Sequence, residues 1–123
     1  MTDHELDSFT HQQQTQRLFE NFERMITAFN TSSITAATGG VSVREFLEVA
    51  RVVSLLRAQY LQRVVSLAQV DTLADLGDDK LQQIRCDREA YEEALQGFGA
   101  LRHALMRDYF KLNEDGDEIN VTS

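Results

Sequence analysis

The run Asn113-Glu114-Asp115-Gly116-Asp117-Glu118 sets oxygen-bearing side chains at alternate positions, as the first half of a calcium loop does. A loop of that kind needs a turn glycine at the sixth place and a bidentate glutamate at the twelfth. Here the sixth is Glu118 and the twelfth would fall beyond Ser123, so residues 113–123 read as a solvated acidic tail. The three histidines, His4, His11 and His103, include no His-x-x-x-His pair that one helix face could offer to zinc. Asp87, Glu89, Glu92 and Glu93 form an acidic patch, but a di-iron bundle needs Glu-x-x-His on two helices and the chain has none. Cys86 lies between Arg85 and Arg88, which favour a thiolate, yet helical spacing brings it no base, and it reads as a small buried hydrophobe. With no nucleophile elbow and no glycine-rich phosphate loop, no catalytic, cofactor or metal residue is assigned and the chain reads as a non-enzyme.

Arginines set among apolar residues carry more information. Leu81, Ile84, Tyr91, Leu95, Phe98, Leu105, Tyr109 and Leu112 follow a three-then-four spacing, with Arg88 and Arg102 in two of its slots. Such polar seam positions fix register or partner choice at some cost in stability. Glu20 and Glu23, or Glu89, Glu92 and Glu93 of a second copy, are the candidate counter-charges, and the competing reading is that long stems snorkel with their heads in water. Arg57 repeats the pattern on the preceding helix. Val52 and Leu55 fall outside the broad apolar face of that helix, as residues with a partner beyond the chain would. Val52, Leu55, Arg57, Arg88, Phe98, Arg102 and Tyr109 are therefore the candidate protein-interaction residues.

Three helices must position them. A first helix is expected over about 11–30 on the stripe Leu18, Phe22, Met25, Ile26 and Phe29, after a loose lead-in over 1–10. Asn30 to Gly40, small, polar and β-branched, reads as a loop. The second helix, 42–68, opens on the capping box Ser42/Glu45 with Val41 stapled toward Phe46, and its face comprises Phe46, Val49, Ala50, Val53, Leu56, Tyr60, Leu61, Val64 and Leu67. After a turn with one short helical piece capped by Thr72 and Asp75 and ended by Gly77, the third helix is expected over 79–112, opened by Asp79 and Gln82. Gly97 and Gly99 inside it imply either close approach of another helix or a bend.

Composition agrees with this layout. The 123 residues include no proline, 42% are apolar and 26% charged, which suits one globular all-α domain. The expected architecture is an elongated antiparallel bundle of three helices completed by dimerisation, with coiled-coil-like packing. A net charge of −8 argues against direct nucleic-acid binding, which needs a basic stripe. Neither a leader nor a membrane span is legible, so a cytoplasmic protein is expected. The function expected is that of a protein-binding module, an adaptor, assembly factor or chaperone-like helical protein, with another protein and a second copy as partners. An acidic inhibitor that mimics nucleic acid is the alternative, and a small helical enzyme or metalloprotein the second.

Overall fold

The computed structural model describes residues 2–114. It is all-α apart from one short strand pair, with the order α1 (Asp3–Thr38), β1 (Val41–Ser42), α2 (Val43–Val65), α3 (Asp78–Met106) and β2 (Leu112–Asn113). Two 3-10 turns, Ser66–Gln69 and Leu73–Asp75, join α2 to α3.

α1 is longer at both ends than its apolar stripe implies. Thr2 caps it, accepting from the Glu5 amide at 3.3 Å while its own amide donates to the Glu5 carboxylate at 3.2 Å, so the supposed lead-in is helical from Asp3. The supposed loop over 31–38 is helical too. The Thr38 hydroxyl donates back to the Ile34 carbonyl at 2.7 Å, and the helix stops only where Gly39 takes the left-handed conformation at φ 71°. Weak helix formers were tolerated until a residue that accepts positive φ arrived.

α2 starts as expected: the Glu45 amide donates to Ser42 Oγ and the Ser42 amide to Glu45 Oε1, both at 3.0 Å. α3 opens instead at Gly77, with Asp78 and Asp79 in its first turn beside the positive end of the helix dipole. It runs unbroken through Gly97 and Gly99, and a Cβ at either would meet nothing within 4 Å in its own chain. α3 ends at Met106 rather than 112. The Asp108 amide bonds the Leu105 carbonyl (3.1 Å) and the Tyr109 amide the Ala104 carbonyl (3.0 Å), a Schellman turn with Asp108 at φ 59° where glycine is usual. The chain then turns back so that Leu112 and Asn113 pair, in parallel, with Val41 and Ser42. Phe110, 7% exposed, and Val41, 9% exposed, are buried at this junction and share a cleft with Ile34 and Thr35 of α1.

Only α2 and α3 pack along their lengths; α1 lies along neither, so the three-helix bundle expected from the sequence is replaced by a hairpin with a third helix attached at one end. The hairpin is antiparallel, since Phe46 meets Phe98 at 5.1 Å between ring centroids and Tyr60 meets Tyr91 at 6.2 Å. Its seam is Phe46, Ala50, Val53, Leu56, Tyr60 and Arg63 on α2, continued by Leu67 in the first 3-10 turn, against Ile84, Asp87, Tyr91, Ala94, Phe98, Leu101 and Leu105 on α3. Val53 is the only seam residue below a tenth exposed. The chain presents 10021 Å² to solvent, where a compact monomer of 14.0 kDa presents about 6,700 Å².

Candidate interaction surface

The polar element of the hairpin seam is an ion pair. Arg63 Nε donates to Asp87 Oδ2 at 2.9 Å, Gln59 Nε2 donates to Asp87 Oδ1 at 3.2 Å, and Arg63 Nη1 donates to Gln83 Oε1 at 3.0 Å. The Asp87 side chain is 14% exposed and Arg63 40% exposed, so the carboxylate is held in the seam while the guanidinium reaches its edge. One turn along, Arg57 Nε donates to the Tyr91 hydroxyl at 3.0 Å and its guanidinium carbon stands 5.3 Å from the Tyr91 ring centroid.

Arg88 and Arg102 are not seam residues. α3 continues its seam through Asp87, Ala94 and Leu101, and Arg88, Leu95 and Arg102 each follow a seam residue by one position, on the flank. Arg88 is half exposed and faces Glu92 on its own helix at 3.9 Å, a contact of small energetic weight. Phe98 is a seam residue, on the ring of Phe46. Tyr109 lies past the end of α3, where its hydroxyl accepts from Arg107; that bond, with Glu23 of α1 at 3.8 Å, holds the Arg107 guanidinium above its ordinary pKa. Val49, Leu61 and Val64, read from the sequence as part of the covered face of α2, are 39%, 52% and 37% exposed. Cys86 is exposed, not buried.

In an antiparallel pair, a step of one residue past the seam turns to the same side on both helices. Positions that follow seam residues therefore share one face of the hairpin, and they are rich in arginine: Arg51, Arg57, Arg85, Arg88 and Arg102. Positions that precede seam residues share the other, with Val49, Val52 and Leu55 on α2 facing across to Ala90, Glu93, Gly97 and Ala100 on α3. Val52 and Leu55 are 43% and 54% exposed, so this face is a shallow groove, bulky on the α2 wall and, apart from Glu93, small on the α3 wall.

α1 adds a second apolar surface. Leu18, Phe19, Phe22, Met25, Ile26 and Phe29 occupy an arc of about 120° at 100° per residue, and each is between 46% and 63% exposed. The half-covered side of α1 is a different one, formed by Thr27, Asn30, Thr31 and Ile34. The helix thus meets its own chain through a mostly polar edge and leaves its aromatic stripe outside.

Among the described residues no group of three or more His, Cys, Asp or Glu side chains could hold a metal ion. The clefts are shallow: that at the turn end of the hairpin, by Arg63, Gln83 and Ile84, has a volume near 170 Å³, that by Ile34 and Phe110 near 260 Å³, and the largest of these, near 480 Å³ beside Phe19 and Glu23, is open surface on α1. The calcium-like pattern from Asp115 onward lies outside the described residues, and among the rest no helix is long and apolar enough to cross a membrane. Comparison of the chain with protein-family models, with curated proteins and with solved structures gives no match.

Proposed function

We propose that this chain is a non-enzymatic helical interaction protein, an adaptor or assembly factor that engages protein partners through apolar helix faces. One observation carries the reading: α1 and α2 leave large apolar side chains outside in contiguous rows rather than singly. They are the aromatic stripe of α1 and the Val49, Val52 and Leu55 wall of the groove, and contiguous apolar surface of this kind marks protein contact. Nucleic-acid mimicry would need unpaired carboxylates along one face. Instead Glu48, Asp87, Glu89 and Glu92 each stand beside an arginine of the hairpin.

The test is affinity capture from the native cell with the full chain as bait, beside a Leu55→Asp variant matched for helical content. The expected result is a defined set of captured proteins that the variant loses. Identical sets for the two baits, or none for the wild type, would overturn the proposal.

A further inference from the structure

We infer that the partner seated on the α1 stripe is a second copy of this chain, with α1 of each copy laid into the Val49–Leu55 groove of the other. The inference rests on the reading of these faces as protein-binding and names their occupant. Surface area is its first support. The chain exposes 10021 Å², an excess of about 3,300 Å² over a compact monomer of its mass. If residue 1 and residues 115–123 are granted the full surface of an extended segment, about 1,600 Å², an excess of about 1,700 Å² still remains. Obligate homodimers bury about 2,000–5,000 Å² in total, so two copies that cover this excess reach the required range without any other partner.

Shape is the second support. A coiled-coil seam between two single helices uses a narrow stripe, whereas an arc of about 120° needs two neighbouring helices to cover it. Among the described residues the only two-helix surface is the hairpin, and α1 does not lie on that of its own copy. Of the two hairpin faces, the arginine-rich one would desolvate five guanidinium groups against phenylalanine rings. The other holds a single charge between its walls, Glu93, and is small along α3 at Ala90, Gly97 and Ala100, which leaves room for Phe22, Met25 and Phe29. Gly97 leaves open space on this wall: beyond its chain neighbours and the backbone of its own helix, no described atom lies within 4 Å of the Cβ it lacks. Exchange of α1 in both directions makes the contact isologous, so it closes as a two-fold dimer.

The test uses the full chain. Sedimentation equilibrium should give twice the 14.0 kDa chain mass for the wild type, a single-chain mass with helical circular dichroism retained for Phe22→Asp and for Gly97→Leu, and an unchanged dimer for Gly99→Ala on the opposite face. A benzophenone side chain at position 25, in dimers mixed from ¹⁴N and ¹⁵N chains, should cross-link between copies to peptides within 49–55 or 86–100. A wild-type monomer, a Gly97→Leu dimer, or cross-links from α1 to the partner's α1 would overturn the inference. A monomer whose cellular captures are still lost in Leu55→Asp would overturn only the second copy and leave the proposed function standing; a monomer that captures nothing would remove both.

Discussion

Asp87→Ala tests the most consequential assignment in the hairpin, that its polar seam residue is Asp87 and not its neighbour Arg88. Asp87 accepts two hydrogen bonds from α2, one of them charge-assisted, in a position 14% exposed. A hydrogen bond to a charged group contributes about 1.5–3 kcal/mol. Arg63 is 40% exposed and keeps Gln83 and water when the carboxylate is removed, which discounts the loss to about 1–2 kcal/mol. At about 4 °C per kcal/mol for a chain of this size, the thermal midpoint should fall by about 4–8 °C, measured by circular dichroism at one fixed protein concentration. Arg63→Met in the same background completes a double-mutant cycle with an expected coupling of about 1 kcal/mol, because both substitutions remove one interaction. Arg88→Leu, on the flank with an exposed glutamate for company, should move stability by less than about 0.5 kcal/mol. Coupling indistinguishable from zero, or a larger loss at Arg88 than at Asp87, would refute the seam described here.

Three further outcomes follow from the backbone. Gly99→Ala fills open space in an unbroken helix and should stabilise the chain by about 1 kcal/mol, read from the urea midpoint at unchanged slope. Asp108→Gly should stabilise by about 0.5–1 kcal/mol, since relief of positive φ exceeds the added freedom of the unfolded chain, while Asp108→Val should destabilise by about 1 kcal/mol or more in the same titration. Gly40→Ala should cost about 1–2 kcal/mol, because φ 99° strains any side chain there; its Cβ would stand 2.6 Å from Asn113 Nδ2, a movable group, so adding Asn113→Ala should recover little of the loss.

The sequence made some of this structure legible and hid the rest for identifiable reasons. Capping boxes are local, and Ser42/Glu45 was readable because every partner lies within one turn; Thr2/Glu5 has the same signature but precedes a polar stretch that gives it no apolar stripe to start. Residues 31–38 are weak helix formers one by one, yet a helix already nucleated adds residues at low cost until Gly39 offers a left-handed exit. The seam of α3 is the instructive case. Ile84, Tyr91, Phe98 and Leu105 belong equally to two registers, one continued by Arg88, Leu95 and Arg102, the other by Asp87, Ala94 and Leu101. Hydropathy along α3 alone gives no decisive preference, since each register includes apolar and charged members. α2 decides between them: only the second register brings a carboxylate opposite Arg63 while Phe98 meets Phe46. The charge that specifies the hairpin is therefore a property of two helices together. The same logic extends outward, because the stripe on α1 and the groove beside Gly97 have no partner within one chain, and each has the width and residue size to be completed by the other.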